Sequence, residues 1–242
     1  MRLARADTPD GIVEGTFDGD IVEANGETYQ IGVDATLLAP TDPGAIYTMG
    51  YNFESYIEMH LPDEEPPEPF GFSLKAPISI RASGETVSYP SFSSELGYSG
   101  ELTAVIGEEC RNVEEAEVAE VVKGYTIMND LLAQDQEDIG TMKVFDGSAP
   151  VGPAISTDVD PLDLEMQTTV NGELRQEAHT SDMIQGPAEI IAELSRRCTL
   201  QPGDVIALGS PANPGTLEVG DEVEVWYEGV GTLTNTIGEP RV

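Results

Sequence analysis

Alternating apolar residues between turn signals constrain the fold of this chain more than any other feature. Over residues 164–170 every second side chain is apolar or Thr, and the alternation ends at Asn171-Gly172, a pair typical of a β-hairpin turn. Asn25-Gly26 marks a second such turn. Further strand-like segments cover 71–80, 100–107, 201–208 and 221–233. Strands and helices do not alternate strictly, so the sequence predicts an α+β fold that is mostly β, with a mostly antiparallel or rolled sheet.

Two helices are predicted between these strands. The first begins at Asn112, which is followed three residues later by Glu115 in an N-cap pattern, and runs to about Val122. The second begins at Gly186-Pro187. Its apolar face consists of Ile190, Ile191, Leu194 and Cys198. This face is expected to pack into the core and to bury Cys198.

The chain is expected to divide into two unequal parts. Residues 1–45 are predicted to form a small N-terminal β appendage, and residues 46–242 the main domain. The boundary lies where short strands and turns give way to the apolar run that starts at Ile46. With 242 residues and 39% apolar residues, the chain is long enough for one core with such an appendage.

The charge balance is strongly acidic. Eleven Lys and Arg residues against 45 Asp and Glu give a formal net charge of -34 and a sequence pI near 4.1. Nucleic acids and anionic lipid surfaces are polyanions, so both are unfavourable partners. The carboxylates are interleaved with apolar segments and only three lysines occur, which favours a folded protein adapted to high salt. The alternative is an ordinary acidic protein.

The sequence also limits the compartment in which the protein is expected. The sequence contains no run of about 18 uncharged apolar residues that could cross a membrane. It also contains no basic segment followed by an apolar one, which a secretory signal would have. Cys110 and Cys198 form no CxxC pair, and two cysteines do not make a disulfide framework in a chain of this length. We therefore expect a cytoplasmic protein with reduced cysteines.

The common catalytic motifs are absent from the sequence. It contains no GxSxG elbow, no phosphate-binding P-loop and no HExxH. Its only histidines are His60 and His179, which leaves little basis for a His-dependent triad or metal site.

A series of phrases in a fixed order is more informative than any single motif. They read PGAIYTMGYNFESYIEM, PFGFSLKAP, YSGELTAVIG, VVKGYTIMNDLLAQD, KVFDGSAPVGPAI, VNGELRQ, LQPGDVIALGSPA and LEVGDEVEVWYEGVGTLTN. Over about residues 45–236 this series resembles the fumarylacetoacetate hydrolase family, which includes acylpyruvate hydrolases, oxaloacetate-type decarboxylases, isomerases and sugar-acid dehydratases. The resemblance implies a β-sandwich roll, usually in a homodimer, that acts on a small 2-oxo or β-dicarbonyl acid. It also implies a divalent metal, Mg²⁺ or Mn²⁺, held by carboxylates.

The resemblance places the metal ligands at Ser99, Glu101 and Asp130. Side chains two apart on a strand point to the same face, and carboxylate oxygens suit a hard cation that can stabilise an enolate. The family has Glu at the first of these positions, and here it is Ser99. A serine hydroxyl is the weaker ligand, so we expect reduced metal affinity.

The resemblance also assigns residues that contact the substrate. Lys143 falls at the family's lysine and is expected to orient the substrate carboxylate or enolate. Ser210 falls at the family's substrate-binding hydroxyl. Gln134 stands where the family has an Arg that grips a substrate carboxylate, and Glu137, which would repel an anion, stands at a nearby Gln position.

Residues 52–69 form a candidate lid, and a solvated surface loop is the alternative. The family's lid carries a His–Glu pair that activates water in the hydrolases. Tyr56 stands at the His position and Met59 at the Glu position. Tyr56 and His60, four residues later on the same helical face, are candidate substrate contacts. His60 and Glu58 are also candidates to replace the missing pair.

Two functions follow from these matches and losses. The first is a metal-dependent enzyme that uses a metal-stabilised enolate for C–C hydrolysis, decarboxylation, tautomerisation or dehydration. Without the His–Glu pair, the last three are favoured over hydrolysis. The second is a catalytically degenerate homologue that binds a metabolite or a partner protein. Glu101, Asp130 and Lys143 could each instead be ordinary surface or turn residues, so the first function requires that they share one cavity.

Overall fold

Strands supply most of the regular structure, as predicted. A computed structural model of the chain describes residues 1–60, 71–212 and 215–241, apart from the side chain of His60. Its strands are β1 (Arg2–Thr8), β2 (Gly11–Asp18), β3 (Ile21–Ala24), β4 (Glu27–Gln30), β5 (Thr36–Leu38), β6 (Ile46–Met49), β7 (Phe72–Lys75), β8 (Ile80–Arg81), β9 (Thr86–Ser88), β10 (Leu96–Gly97), β11 (Gly100–Ile106), β12 (Val122–Asn129), β13 (Leu132–Ala133), β14 (Ala149–Ser156), β15 (Glu165–Val170), β16 (Glu173–His179), β17 (Val205–Ala207), β18 (Thr216–Leu217), β19 (Glu222–Tyr227) and β20 (Gly231–Gly238). Its α-helices are α1 (Glu54–His60), α2 (Val118–Val121), α3 (Ile139–Lys143) and α4 (Pro187–Arg197).

The strands of the described residues form three sheets. The largest has the order β4-β3-β2-β1-β14-β12-β11-β17-β6-β7, with β5 paired to β1 and β8 to β14. A five-stranded sheet has the order β16-β15-β19-β20-β9, and a three-stranded sheet the order β13-β10-β18. Most pairs are antiparallel, as predicted, and the parallel exceptions are β6 with β17, β8 with β14 and β9 with β20.

The five-stranded sheet packs against the large sheet. Leu102 and Ile127 of the large sheet share one apolar core with Val225 of the five-stranded sheet. Val105 and Met128 belong to a second apolar cluster that includes β14 and β17. Every residue of β11 is buried. The predicted β-sandwich is therefore confirmed, and the strand that carries Glu101 lies at its centre.

Both predicted Asn-Gly turns form. Asn171 and Gly172 have φ values of +53° and +76° and join β15 to β16. Asn25 and Gly26 have φ values of +55° and +84° and join β3 to β4. Positive φ is uncommon for most residues, but Asn and Gly adopt it readily, which explains why these pairs mark hairpins.

The first predicted helix is shorter than expected. Asn112 has a φ of +52° and lies outside it, and Glu114 and Glu117 form the capping box. A 3₁₀ turn (Glu115–Glu117) and the single turn of α2 follow, and Val122 then begins β12. The helix therefore ends close to the predicted residue but begins later, because the positive φ of Asn112 is incompatible with a helix.

The second predicted helix corresponds to α4. Pro187 occupies its first turn, and Ile190, Ile191 and Leu194 are buried as expected. Cys198 lies just beyond the helix as its C-cap residue. It is only partly buried, but it packs against the main apolar core, so it borders the core without being enclosed in it.

The N-terminal strands extend the large sheet. β1 pairs with β14 of the main body as well as with β2 and β5. An apolar cluster of these strands includes Val13, Phe17, Val22 and Tyr29, and it extends to Ala154 of β14. The assignment of residues 1–45 as a separate unit stays a prediction. None of the described helices has the length and apolarity required to span a membrane.

Candidate functional site

Two neighbouring strands bring the predicted metal ligands to the same end of the large sheet. In the antiparallel register of β11 and β12, Gly100 lies opposite Asn129. The Asp130 backbone N–H donates to the Ser99 carbonyl at 2.8 Å. Ser99 and Glu101 are two residues apart and so point to the same side of the strand, beside Asp130.

These residues line a cavity of about 500 Å³. Six residues predicted for the site are part of its wall: Tyr56, Ser99, Glu101, Asp130, Lys143 and Ser210. Glu101 and Asp130 are 3% and 2% exposed, so both carboxylates are almost fully withdrawn from solvent. The spatial convergence on which the functional prediction depended is therefore present.

Asp130 contacts two lysines. The Lys143 Nζ lies 2.5 Å from one carboxylate oxygen of Asp130, and the Lys75 Nζ lies 2.7 Å from the other. Burial opposes ionisation of Asp130, but the ammonium groups of Lys143 and Lys75 outweigh it and lower its pKa. Sequence reasoning missed Lys75, although it lies within the phrase PFGFSLKAP and is one of only three lysines.

The side chain of Lys75 is completely enclosed. Its Nζ also donates to the Leu131 carbonyl at 2.7 Å and to the Lys143 carbonyl at 3.3 Å. Burial lowers its pKa to about 8, with a further contribution from the ammonium group of Lys143. Lys75 therefore holds Asp130 in place from behind and does not itself reach the cavity.

Lys143 faces the cavity from the last residue of α3. The Asp138 side chain caps this helix by accepting from the backbone N–H groups of Gly140 and Thr141 at 2.9 and 3.2 Å. The Lys143 Nζ donates to the Thr48 hydroxyl at 2.8 Å in addition to its contact with Asp130. These contacts fix the ammonium group at the cavity wall.

Glu101 has no ammonium group within ion-pair distance among the described residues. Its carboxylate accepts from the Gly209 backbone N–H at 2.8 Å. Burial raises the pKa of Glu101 to about 8, and the nearby charge of Asp130 contributes to the increase. Glu101 is thus a buried carboxylate that would bind either a proton or a cation.

Gly209 can make this contact because of its backbone conformation. Its φ is +92°, and a Cβ here would lie 2.7 Å from the Cβ of Asn52. Asn52 is fully buried, donates to the Leu208 carbonyl at 2.7 Å and accepts from the Gln185 backbone N–H at 2.8 Å. Asn52 therefore ties the start of α1 to the segment that binds Glu101.

Ser210 is held by a residue that sequence reasoning also missed. The Gln176 side chain donates to the Ser210 hydroxyl at 2.8 Å and to the Pro211 carbonyl at 3.0 Å. Its oxygen accepts from the Gly100 backbone N–H at 3.2 Å. Gln176 lies in the phrase VNGELRQ, and its side chain connects β16 to Ser210 and to the start of β11 at Gly100.

Only part of the predicted lid can be placed. Residues 52–60 contain α1, which begins at Glu54, whereas residues 61–69 and the side chain of His60 lie outside the described residues. Tyr56 lines the cavity, and burial together with neighbouring Tyr51, Glu101 and Asp130 raises its pKa. Glu58 and Met59 are exposed and are not part of the described cavity wall.

Gln134 lies outside the cavity wall. Its side chain is exposed and packs over Gly97 of β10, and its backbone N–H donates to the Glu95 carbonyl. Glu137 is exposed as well. Leu132, two residues before Gln134, is part of the cavity wall instead.

The donor set fits a hard divalent cation in its chemistry. Glu101 and Asp130 offer carboxylate oxygens, and Ser99, which is 6% exposed, offers a hydroxyl at the same cavity. The described residues contain no group of three Asp, Glu, His or Cys side chains arranged for a metal, so water or substrate would complete the coordination. When all are ionised, the two carboxylates balance Lys75 and Lys143, so a cation is favoured most together with an anionic substrate.

Comparison with known proteins connects this site to a family. Residues 45–238 match the model of the family described as fumarylacetoacetate (FAA) hydrolase C-terminal. The chain is 36% identical to oxaloacetate tautomerase YisK of Bacillus subtilis, across 80% of this chain and 69% of that protein.

Two solved structures are similar along their full length. The structure of 5-carboxymethyl-2-hydroxymuconate delta-isomerase from Mycobacterium smegmatis has a TM-score of 0.91 and 34% identity, and covers 100% of both chains. The structure of maleylpyruvate hydrolase from Sphingobium sp. SYK-6, in complex with manganese(II) and pyruvate, has a TM-score of 0.86 and 26% identity, and also covers 100% of both chains.

Proposed function

The chain belongs to the fumarylacetoacetate hydrolase family, and on that basis we propose that it is an enzyme that acts on a small 2-oxo or β-dicarbonyl acid through an enolate. The observation that carries the proposal is the convergence of Glu101, Asp130 and Lys143 on one cavity. Tautomerase, isomerase and hydrolase activities are named for the relatives described above, and all of them fit chemistry of this class.

Lys143 would bind the anionic end of the substrate. Its ammonium group is held at the cavity wall by Asp130 and Thr48. At this position it can pair with a substrate carboxylate, or with the oxygen that gains negative charge as the enolate forms. Ser210, oriented by Gln176, offers a hydroxyl to the same cavity.

Glu101 and Asp130 would hold Mg²⁺ or Mn²⁺, with Ser99 or water as a further ligand. The cation would supply Lewis acidity that stabilises the enolate. Glu101 has to give up its proton before it can act as a ligand, and Lys75 keeps Asp130 ionised for the same purpose. Ser99 in place of a carboxylate is expected to weaken the site.

A tyrosine at position 56 favours enolate chemistry in which no water molecule is activated. Its raised pKa keeps the phenol neutral at physiological pH, so the hydroxyl can donate a hydrogen bond but does not act as a general base. Tautomerisation, decarboxylation or dehydration would then be the reactions, ahead of C–C hydrolysis.

A catalytically degenerate homologue is the second candidate. It is favoured by the pairing of Asp130 with both Lys75 and Lys143, which compensates this carboxylate without a metal. Such a protein would bind a 2-oxo acid or a partner chain without turning anything over.

The test compares two lysine variants. Tautomerisation and decarboxylation of oxaloacetate are measured with Mg²⁺ or Mn²⁺, in low salt and in molar KCl. We expect Lys143→Met to lower kcat/KM by at least about 100-fold, the usual effect of removing one stabilising donor. Lys123→Met is the control, since Lys123 pairs with Glu14 outside the cavity. Full activity of Lys143→Met would refute the enzyme mechanism. If the unmodified protein turns over neither oxaloacetate nor other 2-oxo acids, the degenerate homologue is favoured.

We also propose that the protein forms a homodimer in the cytoplasm and is adapted to high salt. The homodimer follows from the family resemblance, and the net charge of -34 with three lysines supports adaptation to salt. Sedimentation velocity in molar KCl tests the assembly state, and a monomer at micromolar concentration would contradict it.

A further inference from the structure

Much of the cavity wall is apolar. Met49 and Phe72 face each other across β6 and β7 at the ends of these strands, and both line the cavity. Ile139 and Met142 come from α3, and Leu132 comes from β13. Three separate parts of the fold therefore present aliphatic or aromatic side chains to one space, in addition to the charged groups described above.

An aromatic pair completes this apolar wall. The rings of Tyr51 and Tyr56 pack edge to face, with centroids 5.7 Å apart and an interplanar angle of 67°. Tyr51 has a φ of +63°, an uncommon conformation for a tyrosine, and this residue is part of the cavity wall. Such a wall gains favourable free energy by burying a hydrocarbon or aryl group.

Among the residues that the structure describes, one ammonium group is accessible from the cavity. Lys143 lines it, whereas the side chain of Lys75 is enclosed behind Asp130 and Lys123 pairs with Glu14 elsewhere. All eight arginines are among the described residues, and none of them lines the cavity. Residues 61–70, 213–214 and 242, which lie outside the described part of the chain, contain no Lys or Arg.

A ligand with two carboxylates would therefore leave one of them without a cationic partner from this chain. When the carboxylate of the 2-oxo acid pairs with Lys143, a second carboxylate on the tail would be buried against apolar side chains without a cationic partner, which is unfavourable. A ligand with one carboxylate and an apolar tail avoids this penalty.

We propose that the substrate is a 2-oxo monocarboxylic acid with an uncharged, apolar tail, whose carboxylate pairs with Lys143 and whose tail packs against Met49, Tyr51, Phe72, Leu132, Ile139 and Met142. This inference rests on the proposed function and specifies the chemical class of its substrate. The apolar wall then determines which acid binds, and the charged residues carry out the enolate chemistry that all 2-oxo acids share.

The test uses two acids that differ by one charge. Keto–enol tautomerisation of phenylpyruvate and of its para-carboxy derivative is followed by the absorbance of the enol, with Mn²⁺ present. The assay is run at pH 8, where a histidine of ordinary pKa is neutral. We expect kcat/KM for phenylpyruvate to exceed that for the carboxylated acid by at least about tenfold. Equal rates, or a preference for the carboxylated acid, would overturn the inference while leaving the proposed function intact.

A substitution in the wall should change this preference. Met142→Arg places a cation on the apolar wall and is expected to improve the carboxylated acid relative to phenylpyruvate by about tenfold. Ile139→Arg, on the more exposed side of the same helix, is the second variant if the first does not fold. Leu174→Arg adds the same charge on the exposed strand β16 and should leave the ratio unchanged. A ratio that moves equally in all variants would refute the role of the wall.

Failure of the proposed function is distinguished by binding. If neither acid is turned over, the thermal stabilisation of the protein by each acid is compared under the same conditions. Stronger stabilisation by phenylpyruvate still supports the inference for a binding protein, and stronger or equal stabilisation by the carboxylated acid overturns it.

Discussion

Replacement of Glu101 by Gln should make the metal-free protein more stable. Glu101 is 3% exposed, and its burial and the charge of Asp130 raise its pKa to about 8. In the unfolded chain the same carboxyl has a pKa of 4.5. The folded state therefore binds a proton more tightly than the unfolded state, and the stability that this proton provides is complete below pH 4.5 and is lost progressively up to about pH 8.

The pKa difference gives the magnitude. Between 4.5 and about 8 it corresponds to about 5 kcal/mol at full ionisation, of which about 3 kcal/mol is already lost at pH 7. Gln is nearly isosteric, its carbonyl can accept from the Gly209 N–H, and it has no charge to desolvate. Glu101→Gln should match the unmodified protein near pH 4.5 and exceed its stability by about 3 kcal/mol at pH 7. For a chain of this length that is about 6–12 °C in Tm.

The assay is urea unfolding at a series of pH values between 4.5 and 9, with a chelator and a constant concentration of KCl. Glu108→Gln is the control because Glu108 is exposed just beyond the end of β11, and its effect should stay within about 0.5 kcal/mol at every pH. The decisive quantity is the difference in unfolding free energy between the Gln variant and the unmodified protein. A difference that stays flat from pH 4.5 to 9, or a variant that is destabilised at pH 8, would refute the reasoning.

Three further outcomes are expected. Mn²⁺ affinity, measured by calorimetry, should increase with pH up to about 8 because the cation displaces the proton of Glu101. The Glu101→Gln variant should lose this pH dependence. Mn²⁺ affinity that does not change with pH in the unmodified protein would contradict the assignment of Glu101 as a ligand. Gly209→Ala should cost at least about 2 kcal/mol more than Gly220→Ala in thermal unfolding, because both have positive φ but only at Gly209 would the Cβ collide with Asn52. The urea midpoint should increase as KCl is raised towards molar concentration, since salt screens the net charge of -34, and the same osmolality of sucrose should not reproduce the whole effect.

The central residues of the site could be predicted because short-range patterns determine their placement. Ser99 and Glu101 share a strand face by alternation alone, and the order of phrases pointed to Asp130 and Lys143. The fold class and the family were accessible for the same reason, since each phrase marks a strand end or a turn. The predicted reaction class agrees with the activities named for relatives of the chain.

Contacts between residues far apart in the sequence could not be predicted from local patterns. The partner of Lys75 lies 55 residues further along the chain, and only the assembly of β6, β7, β11 and β12 in one sheet brings the two together. The exposure of Gln134 depends on the pairing of β13 with β10, which has no local signal. The late start of α2 reflects the positive φ of Asn112, which places this residue outside the helix despite its N-cap pattern.

Because the lysines differ in exposure, chemical labelling of their amino groups can report whether the protein is folded. Of the three lysines, Lys75 is completely shielded and the Lys143 side chain is 9% exposed, whereas that of Lys123 is 32% exposed. An amine-acylating reagent applied to the native protein would modify Lys123 well ahead of the other two. Peptide mass mapping of the acylated chain would then report, without substrate or metal, how many molecules in a preparation have an assembled interior.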